Sequence, residues 1–121
     1  MAERRVFDAP LSQMQNTRFA LATAKADLLA GRALVDRLIA EHMAGTLDAT
    51  TAAAGKLWVT EMLGRCVDAC LQQHGGWGYM SEYEVSRAYA DARVERIAGG
   101  TSEIMKEIIA RGLWPRASGS N

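Results

Sequence analysis

Between Pro10 and Pro115, the only two prolines in the 121 residues, no ring removes a backbone donor or clashes with a preceding turn. So long a proline-free stretch admits long helices, and the spacing of apolar residues calls for them. Leu11, Met14, Leu21, Leu28, Val35, Leu38 and Ile39 recur mostly at steps of three, four or seven, which predicts an amphipathic helix from about Pro10 to Met43. Leu57, Trp58, Met62, Leu63, Cys66, Val67, Cys70 and Leu71 give a second long helix, ending near Gln73, a broad apolar face. Glycine supplies the punctuation that proline does not. Gly45, the Gly75-Gly76-Trp77-Gly78 cluster, Gly99-Gly100 and Gly112 divide the chain into four segments, whereas Gly31, Gly55 and Gly64 fall inside periodic stretches and are read as tolerated there.

The helix starts carry their own signals. Asp48, with Thr50 or Thr51, can accept hydrogen bonds from the free amides that open the second helix. Ser81-Glu82-Tyr83-Glu84 has capping-box spacing and predicts a third helix fading near Ile97. Thr101 or Ser102 can cap a fourth, with Ile104, Ile108, Ile109 and Leu113 on its inner face and Trp114-Pro115 as its stop. No internal repeat and no extended strand alternation competes with this reading. The expected fold is all-α, an antiparallel four-helix bundle over residues 1–115 with a loose polar tail at 116–121.

Fourteen basic and fourteen acidic residues cancel, so the net positive charge that selects nucleic acid or anionic membranes is missing. No apolar run approaches the roughly 20 residues of a membrane span. The N-terminus Met-Ala-Glu-Arg-Arg-Val-Phe lacks the apolar core of a secretory signal, which makes the cytosol the default compartment, an organelle address removed upstream being the other possibility. Cys66 and Cys70, four apart on a helix, are poorly directed for a disulfide and suit a reduced compartment.

Cys66, Cys70 and His74 form a stripe of soft ligands, but nothing supplies a fourth, and thiols among Met62, Leu63 and Val67 read as packing rather than as a metal site. The run from His74 to Tyr79 matches no phosphate-loop fingerprint and reads on spacing as a tight helix-to-helix turn. Gly99-Gly100-Thr101-Ser102-Glu103 leads two flexible residues into a helix N-terminus, which suits either an anionic or carbonyl group or an ordinary cap. Arg87, Asp91, Arg93, Glu95 and Arg96 read as a solvated mixed-charge face, and His42 as a favourable charge at a helix C-terminus. No Ser/His/Asp or Cys/His set is spaced for a nucleophile.

In order and separation, several runs together resemble the C-terminal bundle of acyl-CoA dehydrogenases: Arg4-Arg5-Val6-Phe7, Gln15, Gln72 to Tyr79, and Asp91-Ala92-Arg93 through Lys106. The Gly-Gly-Trp-Gly-Tyr-Met run and the helix from Glu103 to Arg111 look most like the long-chain members. The resemblance implies an FAD enzyme of fatty acid β-oxidation: a carboxylate takes the α proton of an acyl-CoA thioester and FAD accepts a hydride from the β carbon. It implies FAD shared across a subunit interface, and electrons passed to an electron-transfer acceptor. By matching position, Arg4 meets the pyrophosphate, where a guanidinium fork suits paired phosphate oxygens. Phe7 and Gln15 accompany it, and Gln72, Gly75 and Gly76 pack against the same nucleotide. Thr101, Ser102 and Glu103 stand beside the flavin, and Gly99 and Gly100 line the acyl-CoA near its thioester.

Two departures from the family pattern stand out. Gly99 occupies the position where many members carry the catalytic glutamate, whereas long-chain and isovaleryl types place that base on an earlier helix. The base is therefore expected upstream of Met1, and the chain alone is expected to be inactive. Asp8 stands where a glycine is usual and brings negative charge near Arg4. Exposed apolar area normally covered by other domains implies self-association to a dimer or tetramer. The alternative is a stand-alone helical oligomerisation or interaction module that has lost cofactor chemistry. Within the resemblance, a related flavoenzyme such as an acyl-CoA oxidase, a nitroalkane oxidase or a flavin-dependent monooxygenase is a further alternative, which the Gly-Gly-Trp-Gly-Tyr-Met run disfavours.

Overall fold

The computed structural model describes residues 5, 6 and 9–114. Arg4, Phe7, Asp8 and the tail at 116–121 lie outside the described residues. Two short strands, β1 (Arg5–Val6) and β2 (Ala9–Pro10), pair antiparallel with Arg5 opposite Pro10. A 3₁₀ turn, Leu11–Gln13, leads into helix α1 (Gln15–Met43), so α1 begins five residues later than the periodicity suggests. Helices α2 (Ala49–His74), α3 (Glu84–Val94) and α4 (Ser102–Leu113) follow, with a 3₁₀ turn, Gly75–Tyr79, between α2 and α3. Four helices and an all-α bundle are what the sequence implied.

The caps explain where the helices begin and end. Asp48 accepts from the Thr51 amide at 2.9 Å and the Thr51 hydroxyl at 2.7 Å, satisfying donors that α2 cannot pair internally. Gly45, at φ 69°, turns the chain out of α1 through the left-handed region open to glycine. The capping box expected at Ser81–Glu84 does not form. Tyr83 is the N-cap without a side-chain bond; instead Arg87 Nη1 donates to the Ser81 carbonyl at 2.7 Å, and Tyr83 stacks on Trp77 with centroids 5.8 Å apart. Helix α3 also stops at Val94 rather than near Ile97, because the carbonyls beyond it are drawn to a lysine of α2.

Helix α2 is the hub. It packs against α1, α3 and α4, whereas the backbones of those three scarcely approach one another. Thr17 meets Gln73, Asp27 meets Arg65 and Leu38 meets Gly55, so α1 and α2 run antiparallel. Thr50 faces Gly112 and Glu61 meets Ser102, while Ala92 lies beside Gly64 and Glu84 beside Cys70 and His74, so α4 and then α3 lie in succession along α2, both antiparallel to it. Being covered on several sides is what the broad apolar face of α2 requires.

Periodicity misplaced parts of two inner faces. On α1, Leu21, Leu28 and Ile39 are 39–55% exposed, and the packed stripe runs instead through Thr17, Ala20, Ala24, Gly31, Leu34 and Leu38. Small residues hold its first half because they let the helix axes close: a Cβ at Gly31 would stand 2.6 Å from Met62 Cε and 3.2 Å from Trp58 Cζ3. Further on, the small residue is on the other helix, where Leu38 packs over Gly55. On α4, Ile104 and Leu113 are exposed and Ser102 and Met105 are buried. Gly112, read from sequence as a divider, lies inside α4 and lets it approach α2 at Thr50, whose Oγ1 would lie 2.6 Å from a Cβ there. No helix among the described residues is long and apolar enough to cross a membrane.

Candidate functional site

The site residues suggested by sequence fall into two groups. The first lies where α1 begins and α2 ends. Thr17, 2% exposed, donates its hydroxyl to Gln73 Oε1 at 2.8 Å and ties the two helix ends together. That bond brings Gln15 and Gln72, both exposed, to the same end of the hairpin as Gly75 and Gly76. Gly75, at φ 61°, closes α2, its amide donating to the Gln72 carbonyl. Gly76 is exposed and a Cβ there would meet nothing within 4 Å, so its backbone is open to close approach. Gly78 is the opposite case: it is buried, and a Cβ would stand 2.6 Å from the Leu71 carbonyl oxygen.

The second group lies where α3 gives way to α4. Gly99 and Gly100 have φ of 63° and 101°, which glycine adopts without strain. Thr101 then caps α4, its hydroxyl accepting from the Ile104 amide at 3.4 Å. Glu103 is exposed; hydrogen bonds from its own amide and then from Thr101 hold its carboxyl below the usual range. Ser102 faces inward. It is 8% exposed, donates its hydroxyl to Glu61 Oε1 at 2.8 Å and its amide to the Arg96 carbonyl at 3.2 Å, so both groups are used within the chain.

Behind this turn stand residues that the sequence reading did not single out. Lys56 Nζ donates to the carbonyls of Glu95 at 3.3 Å and Ala98 at 2.9 Å, and to that of Gly100. Its sequence signal is register: Lys56 stands three residues after buried Ala53 and four before buried Thr60. Glu61 takes Ser102 on one oxygen and Arg96 Nη1 on the other at 3.2 Å. The Ser102 hydroxyl foremost, with the Arg96 charge, holds the Glu61 carboxyl below its ordinary value against the opposing effect of burial. Arg96 therefore leaves the solvated face assigned to it, while Arg87, Asp91, Arg93 and Glu95 remain exposed. Gly64 makes room for it: a Cβ there would stand 3.3 Å from Arg96 Nη2. A cavity of about 180 Å³ opens between Glu61, Arg96, Thr101, Glu103 and Lys106.

The two groups are about 16 Å apart along α2, the rise of the eleven residues from Glu61 to Gln72. The cysteine stripe is packing. Cys66 is buried with Sγ 3.6 Å from Met62 Sδ, burial pushes its thiol up, and His74 Nδ1 lies 2.8 Å from the Cys70 carbonyl. No group of three His, Cys, Asp or Glu able to hold a metal ion occurs among the described residues.

The profile described as "Acyl-CoA dehydrogenase, C-terminal domain" matches residues 1–114. The chain belongs to that family. The long-chain specific acyl-CoA dehydrogenase of Rattus norvegicus is 42% identical over 109 residues, covering 90% of this chain and 25% of that protein. An acyl-CoA dehydrogenase structure from Geobacillus kaustophilus superposes with a TM-score of 0.90 at 44% identity, over 93% of this chain and 30% of that one. The FAD complex of PigA does so with 0.85 at 28% identity, over 96% and 30%. The chain thus spans about a quarter of the length of the curated relatives it matches.

Proposed function

We propose that this chain is the FAD-contacting and oligomer-forming bundle of an acyl-CoA dehydrogenase, with the remainder of the enzyme supplied by other domains. The observation that carries the reading is the turn at residues 99–101. Two positive-φ glycines lead into a capped helix start, and α2 braces the turn from behind through Lys56 and Glu61. The FAD complex of PigA makes FAD the cofactor to test.

The residues present fit such a cofactor. Gly76 offers backbone that a Cβ would not obstruct, and Gly75 turns the chain there. Two contact places about 16 Å apart along α2 suit the ends of an extended dinucleotide, or two cofactors in adjacent subunits. Arg4, Phe7, Gln15, Gln72, Gly75 and Gly76 would hold the nucleotide side. Thr101 and Glu103 would stand beside the flavin, with Ser102 fixing the helix start through Glu61, and Gly99 and Gly100 would line the thioester end of the acyl-CoA. FAD, when bound, supplies the hydride acceptor. Gly99 has no carboxylate and Glu61 is engaged with Ser102 and Arg96, so the proton acceptor would come, as in the long-chain type that the sequence resembles, from another part of the enzyme. The electrons then pass to an electron-transfer partner.

Leu21, Leu28 and Ile39 leave an apolar stripe uncovered on α1, which supports self-association to a dimer or tetramer. Sedimentation at rising concentration checks this; a strictly monomeric chain counts against it. The cofactor reading is tested by titrating the chain with FAD and following flavin fluorescence and heat, then repeating with Arg4→Ala. Saturable binding weakened in the variant supports it, and absence of binding removes the FAD-contacting role from the chain on its own.

A further inference from the structure

The Lys56 ammonium has three donors and no acceptor capacity, and all three meet carbonyls of the segment joining α3 to α4: Glu95, Ala98 and Gly100. A trans peptide unit is planar, with its C=O and N–H pointing in opposite directions. A carbonyl drawn toward α2 therefore turns the next amide away from it. Ala98 shares its peptide plane with the Gly99 amide, and Gly100 shares its plane with the Thr101 amide. Both amides belong to the turn assigned above to the flavin and thioester, and neither has an acceptor among the described residues.

We infer that Lys56 is a positioning residue, aiming the Gly99 and Thr101 amides outward toward an acceptor oxygen of the bound ligand. The role rests on the reading of the turn as a cofactor and acyl-CoA edge. Other observations favour a device for orientation over a plain structural tie. Gly99 and Gly100 have no side-chain preference to hold their own dihedrals, and at φ 63° and 101° they need an outside restraint. The guanidinium of an arginine spreads its donors in one plane, whereas the three donors of an ammonium fan out from a single nitrogen, which suits three carbonyls that converge on one point. Only one side of the turn is held by Glu61, through Ser102 and Arg96; the glycine side depends on Lys56.

The test compares Lys56→Met, Lys56→Arg and Asp48→Ala in the full chain. Asp48→Ala removes a cap of α2 remote from the turn and serves as the control for general destabilisation. Amide resonances and the affinities for FAD and palmitoyl-CoA are read on each. Lys56→Met should displace the Gly99, Gly100 and Thr101 resonances while leaving those of Thr17 and Gln73 in place, and weaken ligand affinity by about tenfold, the loss of one charge-assisted hydrogen bond's worth of orientation. Lys56→Arg should recover part of the affinity, and Asp48→Ala should alter neither readout. Unmoved Gly99 and Thr101 resonances in Lys56→Met, or an affinity loss matched by Asp48→Ala, would overturn the inference. Should the unmodified chain bind neither ligand, the functional reading fails while the resonances still decide whether Lys56 sets the turn.

Discussion

Gly76 and Gly78 sit two residues apart in one turn, yet alanine should act on them in opposite directions. At Gly78 a methyl would lie 2.6 Å from the Leu71 carbonyl oxygen and 3.1 Å from both His74 Cβ and Leu71 Cγ. The nearest obstacle is backbone in the last turns of α2, so relief requires loosening the helix end rather than rotating a side chain. Overpacking of this kind costs about 1–3 kcal/mol, and a backbone obstacle places Gly78→Ala in the upper half of that range. In a domain of this size each 1 kcal/mol lowers Tm by about 4 °C, so a fall of about 8–12 °C is expected. At Gly76 the methyl would enter open space at a backbone angle that alanine tolerates. The unfolded chain then loses freedom and the folded one loses nothing, so Gly76→Ala should be neutral or stabilising by about 0.5 kcal/mol. Thermal unfolding followed by far-UV circular dichroism reads both. Melting points for the two variants within about 2 °C of each other would refute the assignment of one glycine to packing and the other to open surface.

Asp48→Ala removes both bonds to Thr51 and should cost about 1 kcal/mol, a fall of about 4 °C in Tm, with Asp48→Asn recovering most of it. Gly100→Ala should destabilise more than Gly99→Ala. Both force an unfavourable φ worth about 1 kcal/mol or more, but only at Gly100 would the methyl also meet Met105 Cε, at 2.7 Å; equal losses in denaturant titration would contradict this. Glu61 is held below its ordinary value by Ser102 foremost. Its folded value is thus lower than its unfolded one, so the stability it contributes is complete above about pH 4.3 and drains away as pH falls through the folded value. Glu61→Gln should therefore show a shallower decline of Tm between about pH 5 and pH 3 than the unmodified chain, and parallel declines would show that this contact is not the source.

The number and rough extent of the helices were legible because they follow from missing prolines, apolar period and capping residues such as Asp48 and Thr101. The facing of α2 was legible too, whereas that of α1 and α4 was legible only in part. Periodicity marks where large apolar groups recur, whereas α1 as far as Gly31 packs through Thr17, Ala24 and Gly31, residues whose value lies in being small and which carry little hydropathic signal. Gly112 was misread for the same reason: a glycine that ends a helix and one that admits a neighbouring helix look alike until the neighbour is in place. In the site, the glycine turns announced themselves, while Lys56 and Glu61 did not, because their partners lie 35 to 44 residues away and mostly on backbone carbonyls. Ser102 was read only as part of the helix start, and nothing local to it showed that its hydroxyl would turn inward to Glu61.

In the proposed role this bundle completes a flavin site when joined to the rest of such an enzyme. The direct measurement is to replace the matching quarter of the rat long-chain relative with this chain and purify the chimera. The expected product is a folded oligomer that retains FAD and oxidises a long-chain acyl-CoA, with flavin retention falling when Arg4→Ala is introduced. A chimera that is folded and oligomeric but colourless and inactive would contradict it.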